Sequence, residues 1–414
     1  MNRLLPFAVG LALCAGSASA TSYVMMADES LVDGAMVIAQ AAVAGVEPAP
    51  IAGPPSIDTF FQVEHLLKGY VTGSTIIVRT PGGIGPDGVG LRLWGVPEFR
   101  EGDRVLLFLA PRSDGTYGIL HLMLGAFFEV QSGGQRVAVR ALSEAFVLPR
   151  ADGGRTPAAA EPLRDFAGFV NWIRDRAAGL KRPIDYYVDP ARGHLRPALT
   201  AGPLLEDPCT QLGYRWFEFD RGESVTWSLE AGSGDPAGVS RRAFLRARRA
   251  WSQAESSTIS LDHGGSARAT EGLTGLDDTN VLQLEDPADL ISGTFTCEKG
   301  GLLSVTGIWF QNGRGQACER LGTGRKQLFE GREYLEILGA DIVTNDGARC
   351  LMSDDLEAAT RILTHELGHS LGLSHATEPD AVMSGVLTDS ESHGPLSESD
   401  QEAVRGLYRP TVER

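Results

Sequence analysis

His365-Glu366-Leu367-Gly368-His369-Ser370-Leu371-Gly372-Leu373-Ser374-His375 gathers residue types that could hold a metal and hydrolyse a bond. Two histidines four apart on a helix lie on one face, so both imidazoles reach one ion. Gly372 can take the positive φ that ends a helix, turning the chain so that His375 arrives as a third ligand. Three neutral imidazoles and a water complete an open tetrahedral zinc site of the catalytic kind. Glu366 projects beside the ligands without easily joining them, which suits a general base acting on the water held by zinc. The bland alternative is a helix with solvated histidines. Five fixed positions in a chain with only 8 histidines make that coincidence improbable.

The pattern H-E-x-x-H-x-x-G-x-x-H is identified as the signature of the metzincin metallopeptidases. The resemblance implies a methionine turn downstream, and Asp380-Ala381-Val382-Met383-Ser384-Gly385 supplies one, with Met383 eight residues after His375. Alone, that methionine would be core filler; by resemblance it packs beneath the metal as a hydrophobic floor and is not a ligand. Within the metzincins the chain is most similar to the matrixins. Residues 242–251, 340–345 and Leu396-Ser397-Glu398-Ser399-Asp400 with Leu407-Tyr408 resemble matrixin stretches, and the likeness covers residues 209–414. It implies peptide-bond hydrolysis with an extended substrate laid on an edge strand of a sheet, a form of β-strand addition. Which strand does this is not legible. Ser384 follows the methionine where many matrixins carry Tyr-Pro, and Gly385 stands where astacin-like and serralysin-like relatives place a tyrosine near the zinc. The matrixin loop that binds a structural zinc and calcium has no counterpart between residues 262 and 330. His263 stands alone there as a surface histidine. Asp277-Asp278 and Asp286 with Asp289 could hold Ca2+, although carboxylates near turns usually are solvated or cap the backbone.

Length, charge and cysteines set the class. The chain has 414 residues, 43% hydrophobic and 22% charged, ordinary for a globular protein and long enough for two domains. Arg3, the apolar run from Leu4 to Cys14 and Ala18-Ser19-Ala20 read as a signal peptide over residues 1–20, which predicts a secreted protein, extracellular or periplasmic. No later stretch approaches 18 apolar residues, so no membrane insertion is expected. Removal of residues 1–20 takes away one charged residue, Arg3, and moves the net charge from −16 to −17. Such an acidic surface argues against nucleic acid as a partner. Four cysteines remain: Cys209, Cys297, Cys318 and Cys350. In an exported protein they read as two disulfides, with three connectivities open. A cysteine switch is the competing thought, but Asp207-Pro208-Cys209-Thr210-Gln211 does not match the P-R-C-G type of stretch that matrixins use.

Residues 21–148 read as a β-rich domain, a small barrel or sandwich. Strands are expected at 60–67, 74–79, 104–109, 121–130 and 135–139, divided by Gly-containing turns. The Pro81-Gly82-Gly83-Ile84-Gly85-Pro86-Asp87-Gly88 stretch lacks a following Lys-Ser/Thr and is read as a mobile turn, not a nucleotide loop. The spacing of these strands resembles the netrin or metalloproteinase-inhibitor type of OB barrel. Residues 149–208 form a linker, clearest over 149–162, with a short amphipathic helix bearing Phe166, Phe169, Val170 and Ile173 on one face. From 209 the order is strand (224–229, edge-like), helix (241–255), strands (257–261, 280–284, 303–310, 338–345) and the zinc helix, with Asp354 and Glu357 as its capping box. That order predicts an α/β (α+β) domain, a mixed twisted sheet on two long helices. The remaining histidines, His65, His121 and His194, are read as packing or surface residues, and His393 as a possible cleft residue.

The expectation is a secreted zinc endopeptidase in which Glu366 activates water, acting on protein or peptide substrates. The alternative is a non-catalytic, zinc-stabilised adhesion or partner-binding protein with an inhibitor-like N-terminal domain. Intramolecular regulation follows from the second idea, with residues 21–208 blocking the cleft until the linker is cut.

Overall fold

The structure is a computed structural model. It describes residues 21–50, 53–132, 134–142, 146–148, 162–188, 212–230, 238–267, 272–311, 326–329, 331–376, 378, 380–384 and 396–410. The signal segment, most of the 149–162 linker, Cys209, Cys318, His194, Gly385 and His393 lie outside the described residues. Among the described residues no helix is long and apolar enough to cross a membrane.

The chain opens with β1 (Thr21–Val24) and α1 (Asp28–Gly34), then β2 (Val37–Pro48), β3 (Ser56–Lys68), β4 (Thr75–Pro81), β5 (Gly83–Ile84), β6 (Val89–Leu93), β7 (Arg104–Pro111), β8 (Tyr117–Ile119), β9 (Ala126–Ser132), β10 (Gln135–Val139), β11 (Phe146–Leu148), β12 (Arg164–Asp165) and α2 (Phe166–Ala177). Five of these strands close on themselves in the order β2-β3-β4-β8-β7-β2, antiparallel throughout except for the parallel β4–β8 pair. Closure removes the free edges that a short open sheet would present. The apolar run in β7 has two audiences. Val105, Leu107 and Leu109 point into the barrel with Val37, Phe61 and Val78, whereas Leu106 and Phe108 face Phe169 and Ile173 of α2. A strand covered on both faces has no reason to alternate apolar with polar residues. Strands β5 and β6 form a hairpin whose turn falls within the 81–88 stretch. The strand expected at 121–130 begins only at Ala126, because His121 takes a left-handed conformation (φ 52°) and a 3-10 turn follows.

The second sheet is built from β13 (Gly213–Arg215), β14 (Val225–Glu230), β15 (Leu261–Ala267), β16 (Asn280–Gln283), β17 (Gly301–Gln311), β18 (Lys326–Phe329) and β19 (Arg332–Thr344), with helices α3 (Val239–Ser252), α4 (Arg349–Met352), α5 (Leu356–Ser370) and α6 (Glu398–Tyr408). Its main path runs β11-β1-β17-β19-β16-β14-β15. The β19-β16-β14-β15 part is parallel and β17 is antiparallel to β19, so the sheet is mixed. Phe244, Ala247 and Trp251 of α3 pack with Ile362, Leu363 and Leu367 of α5 in one core beneath it. Three local expectations need correction. Strand β14 is interior, flanked by β15 and β16, and not edge-like. The strand placed at 257–261 starts where that reading ends, at Leu261. The cap of α5 is Asp355, whose side chain accepts from the N–H groups of Glu357 and Ala358, so Asp354 and Glu357 form no capping box. Cys297 is bonded to Cys350.

Four strands of the N-terminal region, β1, β5, β6 and β11, belong to this second sheet. β1 and β6 both pair antiparallel with β17, and β11 pairs with β1, so a boundary between residues 148 and 209 does not divide the strands.

Candidate active site

The zinc helix delivers His365 and His369 from its last turns. Gly372 then takes φ 85°, with its Cα so close to the backbone of Tyr214 that a Cβ would lie 2.2 Å from the Tyr214 carbonyl oxygen. Only glycine makes that turn, and it brings His375 back over the helix end. The Nε2 atoms of His369 and His375 lie 2.8 and 3.0 Å from Nε2 of His365. Nδ1 of His365 meets the Val382 carbonyl at 2.8 Å, and Nδ1 of His369 meets the Leu373 carbonyl at 2.9 Å. A carbonyl only accepts, so each Nδ1 carries the proton and each Nε2 presents a lone pair. Lone pairs this close repel unless a cation lies among them. A zinc bonded at about 2.0–2.1 Å to each nitrogen sets tetrahedral ligands about 3.3 Å apart, so the cluster fits that ion with a slight widening. Burial holds all three imidazoles neutral, pushing each well below its ordinary pKa, which is the form a metal needs. Among the described residues no other group of three or more His, Cys, Asp or Glu side chains converges this way.

Met383 lies under this cluster, 1% exposed. A Cβ on Gly368 would sit 2.3 Å from its sulfur and 2.7 Å from the Trp251 ring, so the missing side chain in the signature is what lets α5 rest on both. Asp400 holds the turn. Its two carboxylate oxygens accept from the N–H groups of Val382 and Met383, at 2.8 and 2.9 Å, and it closes a capping box with Ser397 at the start of α6. Since Val382 in turn orients His365, a buried carboxylate distant in sequence positions a metal-facing imidazole. The last carbonyls of α5 are also taken: Trp216 Nε1 donates to Ser370 and the Tyr408 hydroxyl to Leu371.

Glu366 is fully buried and faces β17. Its carboxylate accepts from Ser304 Oγ at 2.8 Å, from Thr306 Oγ1 and, at 2.5 Å, from Ser22 Oγ of β1. Burial raises its pKa, while the donors on Ser22, Thr306 and Ser304 and the Ser22 N–H pull it back down. The register explains the convergence. Ser304 and Thr306 are two apart and share a face of β17, and Ser22 pairs directly with Ser304, so all three hydroxyls point the same way. Trp94, the residue after β6, stacks on His369 with ring centroids 6.3 Å apart and planes at 21°.

The structure thus brings the triad, Glu366 and Met383 together, and sets beside them Asp400, Ser304, Thr306, Ser22 and Trp94, which the sequence had not singled out as site residues. Only Asp400 carried a local signal, the Ser397-x-x-Asp400 cap; the others depend on strand register. Other candidates go elsewhere. His263 is half-buried, its ring packed roughly perpendicular to that of Phe244. Both oxygens of Asp286 accept from the N–H groups of Leu290 and Ile291, and Asp277 caps Thr279. Both Asp286 oxygens are thereby engaged by backbone, whereas Asp277 and Asp278 are exposed.

Residues 219–409 match the family model Peptidase_M10, described as matrixin. A 58-residue stretch is 41% identical to "Matrix metalloproteinase-2" of Drosophila melanogaster, covering 14% of this chain and only 8% of that relative. Residues 219–409 are therefore similar to a matrixin metallopeptidase catalytic domain, a family that implies zinc, and the His triad lies within them.

Proposed function

We propose that this protein is a secreted zinc-dependent endopeptidase. The observation that carries the proposal is the converging triad His365, His369 and His375, the first two held in one tautomer by backbone carbonyls, beside the buried carboxylate of Glu366 on the same helix. These three imidazoles would hold the ion. When bound, zinc supplies Lewis acidity that polarises a peptide carbonyl and acidifies water. Glu366 takes a proton from the attacking water at a carboxylate oxygen and returns it to the leaving amide nitrogen. Ser304 and Thr306 orient that carboxylate through their hydroxyls, and the Val382 and Leu373 carbonyls orient the imidazoles. The hydrophobic floor at Met383 excludes water from beneath. Support for export comes from residues 1–20. The N-terminal region, residues 21–208, serves as an inhibitor-like cover until the linker is cut. A purely structural zinc site, as in the adhesion alternative, would have no use for Glu366.

The test compares wild type with Glu366→Ala, each nicked by limited trypsin in the 149–162 segment. Both should bind one zinc, and only wild type should digest casein, stopping when a chelator is added. Equal digestion by the two proteins would defeat the mechanism.

A further inference from the structure

One edge of β17 is bonded to β19. The other edge is shared by two segments of the N-terminal region lying end to end and running the same way. Val89–Leu93 pairs with Gln311 to Gly307, and Thr21–Val24 pairs with Val305 to Gly301. The junction between them is tight. The Thr21 hydroxyl donates to the Trp94 carbonyl, and a Cβ on Gly95 would fall 2.6 Å from the Thr21 hydroxyl oxygen. Gly95, at φ 75°, turns the chain away where Thr21 comes in. Read along β17, the order is Leu91, Arg92, Leu93, Trp94, then Thr21, Ser22, Tyr23, Val24: a peptide with one bond open. That opening lies opposite residues 305 and 306, between Ser304 and Thr306, whose hydroxyls both hold Glu366. On its two sides Trp94 covers His369 and Ser22 caps Glu366.

We infer that the chain fills the outer edge of β17, the kind of edge on which the resemblance lays a substrate, with its own segments in the manner of a cut peptide, 91–94 on one side of Glu366 and 21–24 on the other, keeping the full chain latent. The inference rests on the peptidase reading and adds to it the occupant of that edge and the register of the scissile bond. A substrate lies antiparallel to β17, and its scissile bond sits where Trp94 gives way to Thr21. Thr21, Ser22 and Tyr23 are at most 1% exposed, so no peptide reaches the site while they are in place.

The probe is a quenched fluorescent peptide with the core sequence LRLWTSYV, the composite strand joined into one chain. Ser22→Pro removes both the hydroxyl and the N–H that Glu366 accepts; Ser22→Trp expels β1 by size and serves if the proline variant lacks a cooperative melt. The zinc-loaded variant should cleave the probe at Trp-Thr about tenfold faster than wild type or more, because apparent affinity scales with the fraction of chains whose edge is free. Amide exchange at 301–305 should quicken likewise, and adding the probe to the variant carrying Glu366→Ala should restore protection there. A folded variant with exposed 301–305 amides that the probe does not protect, or that cuts at another bond, would overturn the inference. If nicked wild type and variants all fail to hydrolyse while the probe still protects β17, the peptidase reading falls and the substrate edge stands.

Discussion

Asp400 touches no imidazole, yet the bond that fixes the His365 tautomer depends on the turn it holds. The Val382 and Met383 N–H groups are fixed by its carboxylate, the Val382 carbonyl fixes the His365 proton on Nδ1, and the lone pair at Nε2 follows. Loss of such an outer partner commonly costs about 10–100-fold in metal affinity. Asp400→Ala should therefore weaken zinc binding by that factor, read by competition with a chromogenic chelator, with the overall fold retained by circular dichroism. An affinity within twofold of wild type would show that the methionine turn holds itself. Nothing in the sequence marks Asp400 for this role beyond its place in a cap, because its partners are backbone groups and backbone carries no residue code. The triad was legible because helical spacing alone brings two ligands together, and one glycine brings the third.

At the scale of elements, the turn after α5 does the most with the least. Gly372 combines a left-handed φ with a 2.2 Å approach of any added Cβ to the Tyr214 carbonyl. An alanine there meets both a conformational cost of about 1–3 kcal/mol and a clash with immovable backbone. Gly372→Ala should lower stability in urea by at least about 2 kcal/mol and displace His375, so that zinc binding weakens too. Unchanged stability and affinity would mean that β13 can shift to admit a methyl group. Elements with their own periodicity, such as α3 with its Phe244, Ala247 and Trp251 stripe, were readable in advance. Strand β14 was not, since its alternating pattern reports one covered face and says nothing of its neighbours β15 and β16, which come from 30 or more residues downstream. The edge that receives β1 was illegible for the same reason: pairing across about 280 residues leaves no local trace.

The whole molecule is joined along a seam on β17, and His121 lies in it. Its Nδ1 accepts from the Leu302 N–H, its own N–H donates to Ser292, and Gly293 and Gly301 press against the ring. Sequence reading had it as packing or surface; it is 2% exposed, a packed residue joining the two regions. Burial, with no charged partner, depresses its pKa to about 4 from 6.5. The sign follows from linkage: the unfolded chain protonates His121 first, so its contribution is present above pH 6.5, fades as pH falls toward 4, and is gone below that. Two buried acids act the other way. Burial raises Asp341 to about 7 and Asp286 to about 6, so each favours the folded state more as pH falls toward its unfolded value of 3.8. The bulk acid profile therefore mixes opposing slopes, and a single-residue difference is needed to separate them. His121→Gln keeps an acceptor for Leu302 but does not titrate. Between pH 7 and pH 5 wild type should lose about 2 kcal/mol of stability relative to this variant in urea unfolding, the amount expected for a shift from 6.5 to about 4. Parallel pH slopes for the two proteins would mean that His121 is solvated or charged in the folded chain, and the seam beside β17 would then be open where the structure has it closed.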